Sequence, residues 1–148
     1  MLQDFFEQAG KYSCLAQCYI YAVLDYMRLN NGYRDVTMAT TLLSAYNNCI
    51  GIDKEFFVEN PVKLIKEVFK TVFEKDVEVD VVKRDITTFK DLPFEQYSAV
   101  RFDYNGHSHW VLAKGQTQIY NSLSNSQCVR LGKPVTARVI TINESKAK

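Results

Sequence analysis

No run of about 18 consecutive apolar residues occurs in this chain, so no membrane-spanning helix is expected. An excess of one charge sign is also missing. Lysine and arginine number 18 against 17 aspartates and glutamates, a formal net charge of +1. A protein that coats nucleic-acid phosphates is normally far more basic, so no nucleic-acid partner is expected. Cysteine is scarce: Cys14, Cys18, Cys49 and Cys128 are too few to staple a chain of 148 residues. Met1 to Phe6 lack a basic region followed by an apolar stretch, which predicts no secretory signal and a cytoplasmic location. A glycine-rich phosphate loop is absent, as are internal repeats and low-complexity segments. Neither a nucleotide nor any other cofactor is expected.

What is present suits one domain over residues 1–148, with 145–148 a frayed tail. Hydrophobic residues make up 47% of the chain, enough for a core and against global disorder. The stretch from Cys14 to Leu29 is apolar almost all round. Only Gln17, Asp25 and Arg28 break it, which predicts a buried central helix. Ser13 is its candidate N-cap, and Asn30-Asn31-Gly32 its stop. Val36 to Asn48 predicts a second helix. Asn60-Pro61 opens a third that runs to about Phe73, because proline suits a first helical turn.

The period then changes from 3.6 to 2. Val77, Val79 and Val81 alternate with charged residues as in a half-buried strand. Further strands are expected at Tyr97–Tyr104, His107–Ala113, Thr117–Asn121 and Arg138–Ile142. Asn105-Gly106 and Lys114-Gly115-Gln116 supply the turns. Helices first and an antiparallel sheet after predict an α+β fold.

Four residues could carry chemistry. Cys14 opens the buried helix, where the partial positive charge and unpaired N–H groups of a helix start favour a thiolate. Gln8, six residues earlier, could complete an oxyanion hole with the Cys14 backbone N–H. The chain has two histidines, His107 and His109, so a Cys–His pair must use one of them. His109, near the start of a strand, is the better general base. Asn121 ends the next strand, and pairing through the Lys114–Gln116 turn would set it beside residue 109 or 110. Its side-chain oxygen could there hold the imidazole in one tautomer. Cys18, Cys49 and Cys128 read as buried or half-buried thiols. The aromatics Tyr19, Tyr21, Tyr26, Phe56, Phe57, Phe69 and Phe73 read as core or rim.

Taken together, Gln8, Cys14, Cys18, His109-Trp110-Val111-Leu112 and Tyr120-Asn121-Ser122 resemble the papain-like cysteine peptidases. In particular the chain looks like the compact bacterial branch that includes the double-glycine leader peptidase domains of bacteriocin exporters. The resemblance covers roughly residues 5–142. It implies a papain-like fold, a peptide or protein substrate, and acyl transfer through a thioester. By it, Cys14 is the nucleophile, His109 the general base and then acid, Asn121 its orienter, and Gln8 an oxyanion donor. The branch carries Asp-Cys-Gly at the nucleophile where this chain has Ser13-Cys14-Leu15. It carries Asp-Pro where this chain has Asn121-Ser122. Phe57-Val58-Glu59-Asn60-Pro61, with Tyr120-Asn121-Ser122-Leu123, also resembles a family of spirochaete plasmid and phage proteins that has no assigned activity.

Two other readings stand beside the hydrolase. One is a peptide-binding module on the same fold that has lost catalysis, favoured by Leu15 in place of glycine. The other is a structural zinc site formed by Cys14, Cys18, His107 and His109, against which the helical Cys-x3-Cys spacing counts.

Overall fold

The computed structural model describes residues 14–27, 60–121 and 126–144; the side chains of residues 14, 16, 71 and 72 fall outside that description. The expected helix at Val36–Asn48, the cap Ser13, the Asn30-Asn31-Gly32 stop, Gln8, Cys49, Phe56 and Phe57 lie outside the described residues.

Helix α1 spans Cys14–Tyr26. It contains no glycine or proline, and Cys18, Tyr19, Ile20, Ala22, Val23 and Leu24 are buried around most of its circumference. It ends three residues short of the expected Leu29, its last turn closed by the Met27 N–H donating to the Val23 carbonyl at 3.0 Å. Helix α2 spans Pro61–Phe73, as the Asn60-Pro61 pair predicts. Asn60 caps it, its Oδ1 accepting from the Lys63 N–H at 3.1 Å. Leu64, Ile65, Val68 and Phe69 are fully buried, while Lys63, Lys66, Glu67 and Lys70 face solvent. That is the division an amphipathic helix needs to dock on a sheet.

Five strands form one antiparallel sheet: β1 (Val77–Asp85), β2 (Tyr97–Tyr104), β3 (His107–Lys114), β4 (Thr117–Asn121) and β5 (Lys133–Glu144). Their spatial order is β1-β5-β2-β3-β4. The two hairpin turns take the positive φ their sequences allow: Asn105 and Gly106 at 52° and 81°, Gly115 at 60°. With α1 and α2 packed on the sheet, the architecture is α+β. No helix among the described residues is long and apolar enough to cross a membrane.

The expectation of helices strictly before strands needs correction. A short helix, α3 (Gln127–Leu131), stands between β4 and β5, and a 3-10 turn, Phe89–Asp91, between β1 and β2. Strand β5 is also longer than the expected Arg138–Ile142. Both its edges are paired, by β1 and by β2, so the ladder sustains residues whose own pattern is not alternating.

The sheet has two apolar faces. On one, α1 and α2 pack against Val77, Tyr97, Ala99, Leu112, Tyr120 and Ile140. On the other, Ile86, Leu92, Val100, Phe102, Val111, Ala113 and Ala137 cluster with Cys128 of α3. Gly132 caps α3 beside β2: a Cβ there would stand 2.3 Å from the Cys128 carbonyl oxygen and 2.4 Å from that of Asp103. Both obstacles are backbone, so neither can swing away. Gly132→Ala is expected to cost about 1–3 kcal/mol by overpacking. Urea unfolding would show it as a lower midpoint with an unchanged slope.

Candidate functional site

β3 and β4 form a short hairpin about Gly115, and β2 flanks β3 on its other side. This places His109 opposite Phe102 of β2, and Asn121 opposite Val111 of β3. The direct partner of Asn121 is therefore residue 111, not the expected 109 or 110. A register shift between Leu112 and Ala113 accounts for the difference. The side chains still meet. His109 Nε2 and Asn121 Oδ1 lie 2.6 Å apart, and both residues are only 8% exposed.

An amide oxygen can only accept, so the ring donates through Nε2–H. Nδ1 is then left with the lone pair. Burial pushes the His109 pKa below its ordinary 6.5, and the bond to Asn121 works in the opposite direction. The net direction is down, so the fold favours the neutral imidazole, the form that can accept a proton.

The sign of the resulting pH dependence follows. Above about pH 6.5 the ring is neutral in both folded and unfolded chains, and its contribution to stability is complete. As the pH falls below 6.5 the unfolded chain takes up the proton first, and stability is lost down through the folded pKa. One proton limits the slope to about 1.4 kcal/mol per pH unit. In a Cys14→Ser background, melting temperature is expected to fall over this window. Adding His109→Gln is expected to flatten that part of the curve; an unaltered slope would show that His109 does not titrate there.

The strand alternation assigns a face to each residue. Trp110 and Leu112 pack on the side of α1 and α2, while Val111 and Ala113 belong to the opposite cluster. His109 has the parity of Val111 and pairs with Phe102, so it belongs to that second face.

Helix α1 lies on the first face, against β2, β3 and β4. Asp25, near its end, accepts from the Tyr97 hydroxyl at 2.5 Å and lies 3.4 Å from Lys114 Nζ, at the last residue of β3. Gln17 accepts from the Tyr120 hydroxyl at 3.0 Å, and Tyr21 stacks on the Tyr120 ring at 4.3 Å. The two polar residues that interrupt the apolar helix thus tie it to the strands at each end. Cys14 thus opens a helix on the first face, whereas His109 lies on the second.

Of the four sequence candidates, the structure brings His109 and Asn121 together. Cys14 is fixed as the first residue of α1, and Gln8 lies outside the described residues. Cys18 is fully buried in the helix-side core, which is its expected place. Cys128 is a buried free thiol in the cluster that holds Phe102 and Val111, the ladder partners of His109 and Asn121. Its spacing in the sequence gives no signal of that placement.

His107 is exposed on the hairpin, beside a surface cavity of about 250 Å³ lined by Asp103, Tyr104, Asn105, Gly106 and Ser108. Among the described residues, no three His, Cys, Asp or Glu side chains gather to hold a metal ion. Comparison with family models, with curated proteins and with solved structures finds no match.

Proposed function

We propose that this protein is a cysteine-nucleophile hydrolase of papain-like type, a peptidase or amidase that works through a thioester. The observation that carries the reading is the buried 2.6 Å contact between His109 Nε2 and Asn121 Oδ1. A histidine held in this way has a defined tautomer and an unshared Nδ1, which is what a thiol's base requires. Cys14 is the proposed nucleophile because a helix start stabilises a thiolate.

In the proposed reaction Cys14 gives its proton to His109 Nδ1 and attacks a carbonyl carbon. A C–S bond forms and the carbonyl electrons move onto oxygen. The backbone N–H of Cys14 and the Gln8 amide would stabilise that oxyanion. Collapse breaks the C–N bond, and the amine leaves with the proton from His109. Water, deprotonated by the same imidazole, then hydrolyses the thioester and restores the thiol.

The test is incubation with a complex peptide mixture, reading new amino termini by mass spectrometry. Cleavage is expected in the wild type and to be lost in Cys14→Ala and in His109→Ala. Hydroxylamine should capture the acyl group as a hydroxamate. Cleavage that persists in Cys14→Ala would overturn the assignment. Peptide retention without cleavage would favour the binding module instead.

A further inference from the structure

Strand β1 is one edge of the sheet, and β4, which carries Asn121, is the other. Strand β1 runs nine residues, Val77–Asp85, with no proline, no glycine and no break in its register with β5. A long, regular edge invites pairing, and proteins normally shorten, bulge or break such strands. Among the described residues nothing pairs with the outer side of β1. Its charges are Glu78 and Asp80 in the first half and Lys83, Arg84 and Asp85 in the second. Where they fall decides which pairings the edge accepts.

The ladder with β5 shows which residues of β1 offer backbone hydrogen bonds outward. Just past the strand, the Ile86 N–H donates to the Val135 carbonyl at 3.2 Å, and the Thr136 hydroxyl donates to the Arg84 carbonyl at 3.1 Å. The even-numbered residues therefore turn their N–H and C=O groups towards β5. Bonded and non-bonded pairs alternate along an antiparallel ladder, so Val79, Val81, Lys83 and Asp85 turn theirs away from it. The side chains divide by the same parity. Val77, Val79 and Val81 lie on the helix side, so Glu78, Asp80, Val82 and Arg84 share the opposite face. Val82 is 53% exposed there. Arg84 Nη1 donates to the Asp91 carbonyl, a neutral acceptor, at 3.0 Å. Among the described residues no salt bridge involves Asp80, Lys83 or Arg84.

We propose that β1 pairs antiparallel with β1 of a second copy of this chain, about a two-fold axis at Val82. Outward-turned residues must meet outward-turned residues, so the axis passes through a residue and not between two. An axis at Asp80 would oppose two aspartates, and one at Lys83 two lysines, and like charges in direct opposition destabilise a sheet. Axes at Val81 and Val82 oppose no like charges. The axis at Val82 also sets that exposed side chain against its own copy in a non-bonded pair, where side chains come closest. It sets Asp80 opposite Arg84 of the second copy, and by symmetry does so twice. Val81 then meets Lys83 of the second copy through the outward backbone groups. An axis at Val81 would instead leave Val82 facing Asp80. An acid and a base at equal distances from Val82 are self-complementary under this rotation, which is why the edge selects a second copy. The inference does not depend on the hydrolase reading.

The full-length protein is followed by sedimentation velocity over a wide range of concentration, and a reversible monomer–dimer equilibrium is expected. Val82→Lys sets two lysines against each other at the axis and is expected to weaken the dimer about tenfold or more. Asp80→Arg and Arg84→Glu each turn both cross-strand pairs into like charges, so each alone should be monomeric. An equimolar mixture of the two should dimerise, because both pairs are then opposite in charge. Val82→Cys is expected to form a disulfide between the two copies of position 82 on mild oxidation, assigned by peptide mass spectrometry. Val81→Cys is not expected to link to itself, since position 81 faces 83. Circular dichroism checks that each variant is folded, and the Val82→Cys link decides the register even if Arg84→Glu does not fold. A wild-type chain that stays monomeric up to millimolar concentration overturns the proposal. So does a dimer indifferent to Val82→Lys, a mixture of folded charge variants that stays monomeric, or a link at position 81 in place of 82.

Discussion

Alkylation of Cys14 by iodoacetamide at pH 6 is expected to be about tenfold faster in the wild type than in His109→Ala. The magnitude comes from two opposing effects. A thiol with the reference pKa of about 8.5 is thiolate to roughly one part in 300 at pH 6. Pairing with an imidazolium that brings the pKa below 6 would raise that fraction by about two and a half orders of magnitude. A more acidic thiol is also a poorer nucleophile, with a Brønsted slope of about 0.4–0.5, and this removes more than one order. Peptide mass spectrometry assigns the modified site. Equal rates at Cys14 in both proteins would sink the dyad. A His109-dependent rate at Cys128 would move the nucleophile to the thiol that lies on His109's own face of the sheet.

The imidazole can be followed directly by NMR in the same proteins. Burial alone holds the His109 pKa below 6.5, and that is the value expected in Cys14→Ala. A thiolate partner would favour the imidazolium, so the wild-type value is expected to be higher than in Cys14→Ala. The two variants therefore separate the effect of the surroundings from that of the thiol. Asn121→Ala is expected to lower the ring pKa further, because the hydrogen bond to Asn121 is the one contribution that raises it.

The strand pairing that brings His109 to Asn121 was legible in the sequence, because Asn105-Gly106 and the turn about Gly115 fix two consecutive hairpins. What could not be read was the register shift at Leu112, which depends on how β4 is held by Tyr120 against Gln17 and Tyr21. Helix α2 was readable because its signals are local: Asn60 and Pro61 at one end, and an amphipathic face that runs to about Phe73. Helix α3 was not, since five residues carry too little periodicity, and its place is set by the close approach of Gly132 to Asp103. The faces of β3 were partly legible. Alternation sets His109 against Trp110, but which side α1 covers is decided by Asp25 meeting Tyr97 and Lys114, residues remote in sequence. The approach of Arg138 to Trp110 has no sequence signal, because it spans β2 at Ala99, a neighbour fixed only by the strand order.

Tyr120→Ala is expected to be the most damaging single change to the fold near the site, at about 3–5 kcal/mol. The ring is 1% exposed, stacks on Tyr21 with an interplanar angle of 16°, and carries the hydroxyl that donates to Gln17. Its loss leaves an aromatic-sized cavity between α1 and the edge strand β4. For a chain of this length the melting temperature should fall by about 10–15 °C. Tyr120→Phe retains the stack and gives up the hydroxyl, so it should cost only about 1 kcal/mol. The comparison also tests how the site is held. Asn121 follows Tyr120 as the last residue of β4, so a loss of the Tyr120 anchor is expected to loosen the β4 register. In Tyr120→Ala the His109 ring pKa should therefore shift towards that of Asn121→Ala, while in Tyr120→Phe it should stay at the wild-type value. A Tyr120→Ala protein that melts early but keeps the wild-type ring pKa would show that the His109–Asn121 contact is anchored from the other face, by α3 and its cluster.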